Sequence, residues 1–184
     1  MTNPIAFRHN ALAQLTNDIG VYALCDLDNM PVYVGQSIDG IRTRVRRHLT
    51  SARSDIIANR QIDVWEIAFV RAWPVKSVSE INELESFLFE HFDSQKRLMN
   101  GTTLEFQGEI APVLPESQSI QVIHEEELAD RRQPELRLPR QISHYLSLVD
   151  YIQQVKNKEH LRRSLQAHFE RLVAYHSSFL STSE

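Results

Sequence analysis

Between residues 20 and 36 the chain carries two short apolar, β-favouring runs separated by a polar break. Val21 to Cys25 and Pro31 to Gly35 are the runs, and Asp26-Leu27-Asp28-Asn29-Met30 between them is rich in turn formers, which predicts a β-hairpin. Upstream, Ile5, Leu12 and Leu15 fall on one side of a short helix over residues 5–16. Downstream the period lengthens. Ile41, Val45 and Leu49 form one apolar stripe, which predicts a helix over about 40–51 with Asp39 as its N-cap. A short helix over 54–60 follows, then a strand over Asp63–Arg71 carried by Val64, Ile67, Phe69 and Val70. Pro74 marks a turn, and Ser77 or Ser79 caps a helix to about Phe92 whose stripe is Ile81, Leu84, Leu88 and Phe92.

After Asn100 the pattern changes. Pro112, Pro115, Pro134 and Pro139 and the acidic run Glu125-Glu126-Glu127 read as a connecting region with one strand at Ile120–Ile123. From Gln141 the period is helical again. Ile142, Tyr145, Leu146 and Ile152 mark one helix, and Leu161, Leu165, Phe169, Leu172 and Val173 a second, broken at Asn157-Lys158 as in an αα-hairpin. The fold class is α+β: a small domain with a three-stranded antiparallel sheet flanked by helices, plus a C-terminal helical hairpin. The expected division is residues 1–104, 105–140 and 141–184.

Composition narrows the function classes. An apolar content of 42% supports a real core, and 24% charged residues exclude a fibrous or disordered chain. The net charge of −4 excludes nucleic-acid binding by bulk positive charge, so any such contact needs a local basic patch. The single cysteine, Cys25, forms no internal disulfide, which fits a reducing compartment. Residues 1–6 lack a signal-peptide pattern, and no apolar run approaches the ~20 residues a bilayer span requires, so a cytoplasmic location and no membrane partner are expected.

Four features could carry chemistry. Arg44 and His48 share a face of the first long helix, along the edge of its apolar stripe. A planar guanidinium fork beside an imidazole suits an anionic ligand; the alternative is a basic face in solvent. On the later helix Glu80, Glu83 and Glu90 project away from the stripe, whereas Glu85 lies near Phe89 on the apolar side. A carboxylate so placed is costly unless it is paired or holds a cation; a salt bridge to an arginine is the alternative. Tyr22 and Tyr33 lie mid-strand, and strand alternation allows both to point to one face, where tyrosines also serve as plain packing residues. Finally, Arg131, Arg132, Arg137 and Arg140, and then Lys156, Lys158, Arg162 and Arg163, form clusters that could grip phosphates or simply be solvated helix ends.

The order of these features is more specific than any one of them. Gly20-Val21-Tyr22 is followed by Tyr33-Val34-Gly35, then by Arg44-Val45-Arg46-Arg47-His48-Leu49, then by Leu84-Glu85-Ser86-Phe87-Leu88 and a downstream Asn100. This succession, over roughly residues 18–100, resembles the GIY-YIG nuclease domain, whose name-giving tripeptides stand here as Gly-Val-Tyr and Tyr-Val-Gly. Gly40 reads as a one-residue insertion ahead of the arginine helix, which makes Arg42 a rival to Arg44; the pairing with His48 favours Arg44. The family's proline before the final asparagine is absent here.

The resemblance implies a metal-dependent endonuclease that hydrolyses phosphodiester bonds in DNA. Tyr22, Tyr33, Arg44, His48 and Glu85 would be its catalytic residues. Glu85 would hold one divalent cation, Mg²⁺ or alternatively Mn²⁺, and Arg44 the scissile phosphate. Tyr22 would be the general base, with His48 as the alternative base. Asn100 would have a structural or substrate-positioning role, and Arg42, Arg46 and Arg47 would be DNA contacts. The size suits a restriction-type or defence nuclease acting as a homodimer through the C-terminal helices. A single-strand- or structure-specific repair nuclease, and a non-catalytic nucleic-acid-binding module on the same fold, are the alternatives.

Overall fold

A computed structural model of the protein describes residues 3–108 and 114–182, so Pro112 of the expected connecting region lies outside the described residues. The hairpin forms where the turn formers lie. Strand β1 (Gly20–Cys25) pairs antiparallel with β2 (Pro31–Ser37), with Tyr22 opposite Gly35 and Leu24 opposite Tyr33. The Asp26 carboxylate accepts the backbone N–H groups of Asp28 (3.0 Å) and Met30 (2.9 Å), holding the turn through its side chain. On its other edge β1 pairs with β3 (Phe69–Pro74), so it lies in the middle of the sheet.

Every residue of β1 is buried because helices cover both faces of the sheet. Tyr22 and Leu24 point to one side, where Leu12, Ile41, Val45 and Leu49 from α1 (Pro4–Ala13) and α2 (Ile41–Thr50) complete the core. Val21, Ala23 and Cys25 point to the other, against Ile81, Leu88 and Phe92 of α4 (Val78–Gln95). Ile5, expected on the buried side of α1, is 81% exposed, and this segment reaches the core through Leu12 and Leu15.

Several expectations are corrected. The sheet has four strands, not three, in the order β2-β1-β3-β4, because β4 (Gln118–Gln121) pairs with the free edge of β3. The strand expected over Asp63–Arg71 starts only at Phe69. Asp63 accepts the Trp65 N–H (3.1 Å) and turns Val64–Glu66 into a single 3-10 turn. Asp39 does not cap α2; Gly40, with φ of 104°, occupies that position without a side-chain cap bond. The expected short helix is α3 (Asp55–Ala58).

The region expected to be a connector holds further helix. Glu125-Glu126-Glu127 open α5 (Glu125–Arg132) and Arg131 and Arg132 end it, the charge order a helix dipole favours. Pro134, at the first helical position where its missing N–H costs nothing, starts α6 (Pro134–Gln154). With α7 (Glu159–Thr182) it forms the helical pair, joined through Leu148, Ile152 and Leu161.

This pair is tied to the sheet domain by buried polar groups. Arg137 donates from Nε (2.9 Å) to Glu66 Oε1 and from Nη1 (2.6 Å) to Asp28 Oδ2. Tyr175 of α7 donates to the same Glu66 oxygen (3.1 Å) and Gln141 Nε2 to the other (3.0 Å). Breaking one member of such a set costs about 3–5 kcal/mol, because the remaining charge is left buried and uncompensated. Among the described residues no helix is long and apolar enough to cross a membrane.

Candidate active site

The two tyrosines meet because the hairpin register offsets them diagonally across one face. Tyr22 is 1% exposed, Tyr33 half-buried, and their ring centroids are 6.4 Å apart. Gly35, opposite Tyr22, leaves room for that ring: a Cβ there would lie 2.6 Å from the Tyr22 hydroxyl and 2.8 Å from the Tyr33 ring. A side chain at this position would expel one of the tyrosines.

Helix α2 turns Arg44 and His48 toward the same place. His48 is 2% exposed; its Nε2 lies 2.8 Å from Tyr22 Oη and its Nδ1 2.5 Å from Ser54 Oγ, just before α3. Burial, reinforced by the Arg44 charge, pushes its pKa down to about 4, so the ring is neutral near pH 7. Burial raises the Tyr22 pKa, with Tyr33 adding to the rise and Arg44 opposing it. Tyr33 is raised too, again by burial and again opposed by Arg44. Arg44 is the cation shared by all three groups. Its Nε is buried with no hydrogen-bond partner among the described residues, a cost that a bound anion would relieve.

The other side of the site comes from α4. Glu85 is half-buried, and Glu80, Glu83 and Glu90 are exposed. Glu85 Oε2 accepts from Gln36 Nε2 (2.8 Å), which also reaches Asn82 Oδ1 (3.3 Å). Burial raises the Glu85 pKa and the Gln36 bond opposes the rise. No ion pair of the described residues includes Glu85. It lines a cavity of about 270 Å³ together with Tyr33, Gln61, Asn100 and His160.

Asn100 is held by β2. Its Oδ1 accepts the Val34 N–H (3.0 Å) and its Nδ2 donates to the Val34 carbonyl (2.6 Å), so one side chain takes the place of a neighbouring strand. The three remaining arginines of α2 stand apart from the tyrosines. Arg42 Nε donates to the Leu15 carbonyl (2.6 Å), Arg46 Nη2 lies 2.8 Å from His9 Nε2, and Arg47 is exposed.

Most arginines of the C-terminal half that could have gripped phosphates are engaged inside the molecule. Arg131 bonds Glu127 and the Trp65 carbonyl, Arg132 the Leu27 carbonyl, and Arg137 Glu66 and Asp28. Arg140 forms a two-pronged pair with Asp63 (2.8 and 2.7 Å), and Arg163 binds Asp93 and two carbonyls.

Sequence reasoning missed Gln36, Ser54, Gln61 and His160. Gln36 was within reach of strand alternation, which puts it on the opposite face from Tyr33 and Gly35, toward α4. Ser54, Gln61 and His160 come from turns and a distant helix and carry no periodic signal.

Residues 18–98 match the sequence model of the GIY-YIG family, described as the GIY-YIG catalytic domain, over the span that holds the two tripeptides, the arginine helix and Glu85. No curated protein matches the chain.

Proposed function

Taking residues 18–98 as a GIY-YIG catalytic domain, we propose that the protein is an endonuclease that hydrolyses phosphodiester bonds in DNA with the help of a divalent cation. The observation that carries this reading is the meeting of Tyr22, Tyr33, Arg44 and His48 on one face of the hairpin, with Glu85 lining the adjoining cavity. A GIY-YIG domain indicates nuclease chemistry; the substrate and the roles of single residues are the further proposal.

The residues fit a metal. Glu85 is a half-buried carboxylate in a polar cavity with no cation paired to it, and no group of three or more His, Cys, Asp or Glu among the described residues forms a closed protein cage. One carboxylate completed by water and substrate oxygens suits Mg²⁺, and Mn²⁺ by the same argument. When bound by Glu85, such an ion supplies charge neutralisation at the phosphate and eases deprotonation of water.

The protein's own side chains do the rest. Arg44, a guanidinium with an unpartnered buried nitrogen, binds the scissile phosphate and neutralises the charge that builds on it. Tyr22 takes the proton of the attacking water on Oη while its own proton passes to His48 Nε2. This relay requires His48 to carry its hydrogen on Nδ1, donated to Ser54 Oγ, so that Nε2 is free to accept. A direct role for Tyr22 as a tyrosinate is opposed by its burial, which raises its pKa. On this reading His48, held neutral by burial and Arg44, is the net proton acceptor and Tyr22 relays the proton to it. Tyr33 packs against both rings and orients them, and Asn100 keeps β2, and with it Tyr33, in register.

A restriction-type or defence role as a homodimer is the biological setting we favour, in the cytoplasm, where the lone buried Cys25 stays reduced. Ile142, Leu146, Phe169 and Val173, all about half exposed on α6 and α7, support self-association of that face. A repair nuclease on single-stranded or branched DNA is the second reading. The test is incubation of the purified protein with single-stranded, duplex and branched DNA, with and without Mg²⁺. Mg²⁺-dependent internal cleavage of at least one substrate is expected; intact DNA in every reaction overturns the reading.

A further inference from the structure

The cavity that holds Glu85 and Tyr33 is lined in part by a residue outside the span 18–98. His160 lies in the first turn of α7 and lines the same space. Its place is fixed by the following turn of α7. Arg163 Nη1 donates to the carbonyls of Leu98 (2.7 Å) and Asn100 (2.6 Å), and Ser164 Oγ donates to the Met99 carbonyl (2.7 Å). Gln61, another residue of the cavity wall, reaches Ser164 Oγ (3.4 Å). The approach is close enough to need glycine beneath it: a Cβ on Gly101 would lie 2.7 Å from His160 Cβ.

Lysines border this wall. Lys156 and Lys158 lie in the turn that leads into α7, where the Lys158 carbonyl accepts the N–H groups of Leu161 (3.1 Å) and Arg162 (3.2 Å). Burial and the two lysine charges lower the His160 pKa, so its ring is the neutral, hydrogen-bonding part of the wall. No ion pair of the described residues holds either lysine, whereas Arg131, Arg137, Arg140 and Arg163 are all paired with carboxylates. In a chain of net charge −4, cations left uncommitted beside the reaction cleft are the kind of local patch that polyanion binding requires.

We propose that Lys156 and Lys158, with the neutral His160 ring as a hydrogen-bonding partner, form a second binding site for the sugar–phosphate backbone of the DNA strand, so that the C-terminal helical pair is one wall of the substrate cleft. The strand enters past this wall and presents its scissile phosphate between Arg44 and Glu85. The proposal rests on the nuclease reading and adds to it where the neighbouring phosphates are held.

The test is DNA binding in a Glu85→Gln parent, which leaves the strand intact. Fluorescence anisotropy with a labelled duplex and with its labelled single strand is compared between that parent and the same protein carrying Lys156→Gln, Lys158→Gln and His160→Gln. The expected result is affinity about tenfold weaker and a plot of log affinity against log salt shallower by about one for each phosphate no longer neutralised. The single variant Lys158→Gln, at an exposed position, gives the same direction if the triple variant folds poorly. A parent that binds, beside variants with unchanged affinity and salt slope, overturns this inference and leaves the nuclease reading standing. A parent that binds neither DNA, from a wild-type protein that cleaves neither, overturns both.

Discussion

The Tyr22 hydroxyl lies 2.8 Å from His48 Nε2 inside the core, and the Ser54 hydroxyl lies 2.5 Å from the other nitrogen of the same ring. The imidazole is thus held between two hydroxyls, one at the floor of the candidate site and one at its back. On the proposed reading a buried neutral histidine so placed acts through its neighbour rather than directly on solvent, and the two residues work as one unit.

Residues that act as a unit lose their effect together. Tyr22→Phe and His48→Ala are each expected to slow single-turnover DNA cleavage by about 10²–10⁴-fold. The double variant should be no slower than the worse single one. Additive losses, each multiplying the other, would show that the two residues work independently.

The pH profile follows from the same pair. His48 accepts the proton only while neutral, and its pKa is pushed down to about 4 by burial and Arg44. His48 therefore sets no fall in cleavage at subsaturating DNA through the ordinary histidine range; the fall comes at lower pH, where the Glu85 carboxyl, its pKa raised by burial, and then His48 take up protons. A half-maximal point at the ordinary histidine pKa, near 6.5, would mean that His48 is not the acceptor or is not buried in the working enzyme.

Arg44 offers a test that separates function from stability. Its buried Nε has no hydrogen-bond partner among the described residues, a cost that offsets what its hydrogen bond to Tyr22 contributes. Arg44→Ala is expected to reduce cleavage by about 10²–10³-fold with an unchanged or higher Tm. A large fall in Tm together with the loss of activity would mean that Arg44 is a structural residue.

His168 sets a pH dependence of stability remote from the chemistry. It lies 2.8 Å from the Gln61 carbonyl and burial pushes its pKa down to about 3. The unfolded chain therefore takes up a proton at this residue before the folded one does, and the stability it contributes is lost as pH falls from about 6.5 toward 3. Thermal denaturation across that range should show a shallower decline of Tm in His168→Gln than in the wild type. Equal slopes would place the His168 ring in contact with water.

How far the sequence shows these relations depends on their range. The hairpin, α2 and α4 are written in local periodicity, and the carboxylate on the apolar side of α4 follows from helix geometry alone. β4 is so only in part: the strand expected at Ile120–Ile123 forms two residues earlier, over Gln118–Gln121, because that segment meets the free edge of β3. Asp63 and Glu66 lie in a stretch with strand-like composition, yet their carboxylates serve Arg140 and Arg137 of α6, and that long-range pairing overrides the local preference. The acidic run at residues 125–127 looks like a solvated linker until its position at a helix start is known. Among site residues, Tyr22, Tyr33, Arg44, His48 and Glu85 stand in recognisable order, whereas Ser54 and His160 enter through tertiary packing and leave no trace in spacing.

The same anchoring changes what a truncation would report. Removing residues 134–182 takes Arg137, Gln141 and Tyr175 away from Glu66 and exposes the segment around Asn100 that Arg163 and Ser164 hold. Such a truncated protein should unfold at markedly lower temperature or fail to fold, as followed by circular dichroism. A truncated form as stable as the full chain would make the helical pair an independent appendage.

The central claim, that the convergent side chains make a metal-assisted nuclease, is tested most directly by Glu85→Gln. The substitution keeps the Gln36 side chain within reach and removes only the charge. Wild-type protein should cut DNA in the presence of Mg²⁺ and not without it, while the Glu85→Gln protein, with an unchanged Tm, leaves the DNA intact. Mg²⁺-independent cleavage, or a Glu85→Gln protein that cuts at the wild-type rate, would contradict the account.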